Sequence, residues 1–146
     1  MTDHYVSFET AQALKLLGFA EKVNHGYSEQ IRIEPDLSLS YDNTKEVHSK
    51  DPKNYNDSRK GADKGIYFYS APRLDQAAEW LLKKKGYYIE VLFCAGNGVD
   101  QSDGWIYNIV GIWSYEIEHD YTAYALPEFA LSAGIDKAFE LLEKKK

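Results

Sequence analysis

The chain has 146 residues, of which 44% are hydrophobic and 27% charged, with a formal net charge of -6 and a pI near 5.2. These are the proportions of one globular domain large enough to bury a core. The acidic balance argues against non-specific nucleic-acid binding, which draws on positive charge, and the single cysteine, Cys94, excludes an intrachain disulfide.

In chain order, Ser7 is a good N-cap for a short helix through Leu17, with Phe8, Ala11 and Leu14 as its buried stripe and Gly18 as its stop. Phe19 is expected to fold back on the same core. Tyr27 to Ile33 and Leu37 to Tyr41 each alternate with period two, and Pro35-Asp36 between them is a turn signal, so a hairpin is predicted. Residues 42–64 read differently. Val47 is the only aliphatic residue there larger than alanine, and the rest is rich in Asp, Asn, Lys, Ser and Gly. Such a stretch buries too little apolar area to offset its ordering entropy, so the expectation is a long exposed loop, disordered or ordered by a partner.

Gly65 to Ser70 reads as a short strand. Leu74, Ala77, Ala78 and Leu81 then fall on one stripe of a helix whose first turn Pro72 suits, whose end Lys83, Lys84 and Lys85 complement electrostatically and which Gly86 stops. After Gly86 the period changes to two. Tyr87, Ile89, Val91 and Phe93 form one face of a strand and Tyr88, Glu90, Leu92 and Cys94 the other, which predicts a central strand with both faces partly covered. A turn-rich loop, Ala95 to Gly104, leads to a strand over Trp105–Trp113. Tyr115–Glu118, Tyr121–Ala125 or both supply a further strand, and Pro127 opens a last helix striped by Ala130 or Leu131, Gly134, Ile135, Ala138, Leu141 and Leu142. Gly134 inside a helix costs ~1 kcal/mol relative to alanine, which a close approach to the sheet would explain. The predicted fold is a single α+β domain, an antiparallel sheet covered by about three helices, with a helix-strand-strand-strand-helix C-terminal half.

Three stretches resemble a family. YVSFETAQALKLLGF at Tyr5 to Phe19, Ala71-Pro72 leading into the helix with Trp80-Leu81 and its following strand, and the closing Ala133-Gly134-Ile135 with Ala138 and Leu141-Leu142 are similar to small uncharacterised proteins of Bacteroidetes genomes, prophages and phages. Together they cover about a third of the chain, and they are apolar, helix-forming motifs that specify packing. The resemblance implies a mobile-element origin and one small α+β domain; it implies no activity.

The densest set of acid/base residues is Glu116, Glu118, His119 and Asp120. In a strand, Glu116 and Glu118 would share a face, and paired carboxylates can split their pKa values for general acid/base work. The same run also reads as an exposed strand edge, and no nucleophile or oxyanion hole lies nearby in sequence. Gly96 to Gly104 lacks the lysine and following helix of a phosphate loop. Its Asn97, Asp100 and Asp103 lack the terminal glutamate of a calcium loop. His4, His25, His48 and His119 have no metal-ligand spacing among themselves. Nothing in the sequence calls for a metal or another cofactor. The helix-strand-strand-strand-helix order matches that of a double-stranded RNA-binding domain, but the turn into the last helix carries Pro127 and Glu128 rather than lysines, so nucleic acid is not the expected partner.

Aromatic residues make up 14% of the chain, with twelve tyrosines. They pack half-buried sheets and also mark interfaces. Tyr88, Tyr107, Trp113 and Tyr115 are the candidate binding residues. The leading expectation is a non-enzymatic interaction protein that binds a protein partner or itself, with a carboxylate-dependent enzyme and a nucleic-acid-binding module as alternatives. No apolar run approaches the ~18 residues that cross a bilayer. The opening MTDHYVSFET lacks the basic and apolar regions of a signal peptide. A cytoplasmic location without membrane association is therefore expected.

Overall fold

The computed structural model describes residues 4–33, 36, 39–41, 44–96 and 103–144. Among the described residues the fold is α+β, with antiparallel strand pairing and three α-helices, as the sequence predicts. Its strands are shared between two sheets rather than one, and the chain groups into two compact units. One comprises Tyr5–Pro72, and the other comprises Arg73–Lys146 with the residues up to His4.

The first unit holds α1 (Phe8–Leu16), β1 (Val23–Ile33), β2 (Leu39–Tyr41), β3 (Lys45–Lys53) and β4 (Ile66–Ser70). The Ser7 hydroxyl accepts the Thr10 N–H and so caps α1, which buries Thr10, Ala11 and Leu14. Gly18 takes a φ of 92° beyond the helix, and Phe19 is buried. Strand β1 is the spine. Ile31 and Ile33 pair with Tyr41 and Leu39 of β2, which is the predicted hairpin; its connecting residues 34, 35, 37 and 38 lie outside the described residues. Further back, β1 pairs with β3 through Val23–Ser28 and with β4 through Gly26–Gln30. Phe8 of α1 meets the rings of Tyr27 and Tyr69 edge-on, at centroid distances of 5.8 and 5.3 Å, and the Tyr27 hydroxyl donates to the Val6 carbonyl.

The stretch expected as a loop contains β3 and two single-turn 3-10 helices, Tyr55–Asp57 and Ala62–Lys64. Most of its described residues are exposed or half-buried, and it is not loop throughout. Two physical reasons account for the difference. Strand pairing uses backbone N–H and C=O groups, so an edge strand tolerates the polar run KEVHSKDPK. The anchoring apolar group is an aromatic ring: Tyr55 is buried against Gly26, whose missing Cβ leaves room for it. Asn56 secures the turn, its amide donating to the Phe19 carbonyl and its side-chain oxygen accepting the Ser70 N–H.

The second unit holds α2 (Leu74–Lys85), β5 (Tyr87–Cys94), β6 (Gly104–Gly111), β7 (Ile117–Tyr124) and α3 (Pro127–Lys144). Strand order is β5-β6-β7, so β5 is an edge strand and β6, not β5, is central. Helix α2 buries Leu74, Ala77, Trp80 and Leu81; α3 buries Ala130, Gly134, Ile135, Ala138 and Phe139. Both helices pack on the face carrying Tyr87, Ile89, Tyr107 and Ile109. A Cβ at Gly134 would lie 2.7 Å from the Ile89 side chain and 3.2 Å from the Tyr107 ring, so the glycine sets how closely α3 approaches the sheet. Lys83 pairs with Glu79 at 2.6 Å, and Lys85 lies over the Trp80 ring, so two of the three lysines of that run are engaged on their own helix. Among the described residues no helix is long and apolar enough to cross a membrane.

Gly86 ends α2 in the left-handed conformation, with φ of 72°. The Trp113 ring lies over it, 2.5 Å from where a Cβ would stand. Gly86→Ala is therefore expected to lower stability by about 2 kcal/mol, from left-handed strain plus displacement of the indole. The urea midpoint measures it; a midpoint equal to wild type would contradict this account of the α2–β5 junction.

Candidate functional site

The acid/base run splits between the two faces of β7. The register pairs Glu118 with Ile109 and Asp120 with Tyr107. The two carboxylates that share the helix-covered face are therefore Glu118 and Asp120, not Glu116 and Glu118. Glu116 lies before the strand begins, in the turn that closes β6–β7, where its carbonyl accepts the Gly111 N–H. His119 points its ring the other way. Its Nδ1–H donates to the Asn108 side-chain oxygen at 2.8 Å, and the Asn108 amide donates to Glu90.

Glu118 and Asp120 open onto a groove of about 460 Å³ whose other wall is α3. Tyr107, Tyr124, Asp136, Lys137 and Glu140 also line it. Lys137 lies 3.5 Å from Glu140 and 3.9 Å from Glu118, a single cation among carboxylates. A comparable concavity on the first unit, beside Lys60, Lys64 and Phe68, holds none of the sequence-predicted residues.

Ionisation in the groove follows from its contacts. The Thr122 backbone N–H, 2.9 Å from Asp120, holds that carboxyl below its ordinary value. Burial opposes this; the Thr122 and Tyr107 hydroxyls and the Lys137 charge reinforce it. Burial pushes the Tyr107 phenol far upward, and its hydrogen bond to Asp120 and that carboxylate's charge add to the shift. Tyr124 is raised by burial and by Asp120. At neutral pH Asp120 is thus an anion and a poor base, and Tyr107 is a neutral donor committed to it. General acid/base chemistry needs pKa values near the working pH, and these shifts run away from it. The arrangement can hold and orient a polar or cationic group.

The aromatic candidates separate in the same way. Tyr107 is buried under α3, whereas Tyr88, Trp113 and Tyr115 are exposed, Trp113 by 64% and Tyr115 by 89%. Tyr88, Val110 and Ile117 are successive register partners on the face away from the helices, and Ile112, Trp113 and Tyr115, all exposed, lie between β6 and β7, with the Trp113 ring also over Gly86. Tyr115 is the only described non-glycine residue with positive φ, at 60°. A bulky residue held there is strained by about 1–3 kcal/mol.

One association escaped sequence reasoning. His25 of β1 and His48 of β3 are register partners with their Nδ1 atoms 3.0 Å apart. No sequence spacing signals it, because 22 residues and a strand reversal separate them. Among the described residues no group of three or more His, Cys, Asp or Glu side chains is placed to hold a metal ion. Asn97 and Asp100 of the turn-rich loop lie outside the described residues, and Asp103 accepts the Gly96 N–H. No family model, curated protein or solved structure matches the chain.

Tyr107→Phe removes the hydroxyl donor from Asp120 and should raise the Asp120 pKa towards the ordinary carboxyl range, measured by carboxyl-carbon NMR. The sign follows for stability: a carboxyl depressed in the fold stabilises it above the unfolded-state pKa, and that contribution is lost as pH falls through the folded value. The wild-type advantage over Asp120→Asn, present at neutral pH, should therefore disappear in strong acid. An advantage unchanged at low pH would show that Asp120 contributes through packing and not through its charge.

Proposed function

We propose that this chain is a small non-enzymatic interaction protein of phage or prophage type, acting in the cytoplasm and binding a protein partner through the exposed apolar surface around the β6–β7 turn. The observation that carries this reading is the cluster of Tyr88, Ile112, Trp113, Tyr115 and Ile117 on one exposed part of a single sheet unit. Large side chains this exposed and this close together are uncommon on a surface with nothing to bind. Tryptophan and tyrosine are also the residues that dominate binding energy at protein interfaces. The strained backbone of Tyr115 supports the reading, since strain persists where a side chain must be presented at a particular angle. The motifs shared with phage and prophage proteins supply the proposed origin.

A second copy of the chain and a foreign protein are the two kinds of partner that fit this surface, and the experiment separates them. Sedimentation equilibrium reports self-association, and affinity capture from host lysate reports a foreign partner. The double substitution Tyr88→Ser with Tyr115→Ser, which spares the Trp113 indole over Gly86, should abolish whichever is seen and leave the circular dichroism spectrum unchanged. A monomer that captures no partner, or a capture indifferent to the double substitution, would refute this surface as the binding site. Tyr115→Gly should separate stability from binding: release of the positive-φ strain raises stability by about 1 kcal/mol, while partner capture falls.

A further inference from the structure

Where β1 and β3 lie side by side, two imidazoles meet. The His25 ring is 3% exposed; Tyr5 stacks on it at 4.2 Å between centroids, and Tyr27 meets it edge-on at 5.5 Å. His48 approaches from the exposed strand β3, its ring tilted by 55° and its Nδ1 3.0 Å from the His25 Nδ1. That distance is a hydrogen bond in which one Nδ1 donates its hydrogen and the other accepts into its lone pair. A first added proton leaves the bond in place and makes it charge-assisted. A second puts hydrogen on both Nδ1 atoms: no lone pair remains between the rings, and two cations face each other in a site that burial has already made costly for charge.

The position of the pair gives it leverage. Ser28, Tyr27, Gly26 and His25 pair regularly with Lys45, Glu46, Val47 and His48, and the register then shifts before Val23 meets Lys53. His25–His48 is the last regular pair. Beyond it, β3 is held by the Asn24 amide, which donates to the Ser49 and Lys50 carbonyls at 3.0 and 3.1 Å, and by the Val23–Lys53 pairing. The groups facing His25 are Tyr5 from the segment before α1, Tyr27 on its own strand, and His48 and Glu46 from β3. Burial and His48 disfavour its charged form, and Glu46 alone favours it. On the other flank of β1 the neighbouring strand β4 presents Tyr69, whose hydroxyl donates to Glu29, away from the imidazoles.

We propose that the His25–His48 pair is a proton-operated latch, which holds residues 48–53 of β3 against β1 while the pair carries at most one proton and lets that segment detach when both rings are protonated. The sign is that of a histidine disfavoured as a cation in the fold. The attachment is complete above the ordinary histidine pKa and weakens as pH falls below it, because the detached segment takes up the second proton more readily than the attached one.

Hydrogen exchange on the intact chain tests this. Protection factors for the amides of His48 to Asp51 and of Lys53 (Pro52 has no N–H), corrected for intrinsic exchange, should fall about tenfold between about pH 7.5 and about pH 5, the fall expected when coupled sites interact by at least one pK unit. Amides of β5–β7 should change far less. His48→Gln keeps a hydrogen-bonding side chain at an exposed position and cannot be charged there, so its segment 48–53 should lose that pH dependence. Nitrogen NMR of the wild-type imidazoles should show two separated titration steps shared by the two rings. Protection independent of pH, an equal fall in His48→Gln, or two rings titrating independently at the ordinary value would each overturn the latch.

Discussion

The second unit is organised around one close approach. Gly134 lets the backbone of α3 come against Ile89 and Tyr107 where any side chain would hold it off. The cost is about 1 kcal/mol of helix propensity, offset by burial of the ring and the aliphatic residues beside it. The same approach sets Asp136, Lys137 and Glu140 opposite Glu118 and Asp120, so the groove is a by-product of core packing. It also buries Tyr107, and a buried phenol requires a partner, which Asp120 supplies. The electrostatics of the groove therefore follow from a packing contact several residues away on α3.

The two faces of the β5–β6–β7 sheet are consequently unlike. The covered face holds the apolar core and, at its β7 margin, Glu118 and Asp120, with the Asp120 carboxyl held below its ordinary value by the Thr122 N–H. The open face combines a polar ladder, Glu90–Asn108–His119, with an apolar end at Tyr88, Val110 and Ile117 that runs on into the β6–β7 turn. Alternation along a strand makes this division unavoidable: each residue that enters the core sends its neighbours outward. What the alternation does not require is that the outward residues near the turn be large and apolar, or that Tyr115 sit at a φ of 60°.

In the first unit the organising element is β1, which has β3 on one side and β4 on the other over Gly26–Ser28. Its side chains are largely aromatic or polar, and the core around it is completed by rings: Phe8, Tyr27 and Tyr69 on one side, Tyr55 against Gly26 on the other. Reading 42–64 by its aliphatic content missed this, since the Tyr55 ring and the Asn56 side chain order what the composition reads as solvent-exposed chain. The His25–His48 pair belongs to the same class. It is a consequence of register, and register between distant strands is not carried by local pattern.

Local sequence by itself determined where the helices begin and end, because caps, glycine stops and the change of period from 3.6 to 2 act within a few residues. Ser7, Gly18, Gly86 and Pro127 each stand at or beside a helix boundary. It also determined the α+β class, the antiparallel hairpin of β1 and β2, and the need for a close approach at Gly134. Tertiary structure alone decided that the strands divide into two sheets, that β6 rather than β5 is central, that Glu118 shares the covered face with Asp120 rather than with Glu116, and that two histidines far apart in the chain share a hydrogen bond. The physical reason is the range of the forces involved. Helix caps and periodicity are settled by neighbours along the chain, whereas strand order, register and the environment of a titratable group depend on which distant segments close the loops between them and what they bury when they meet.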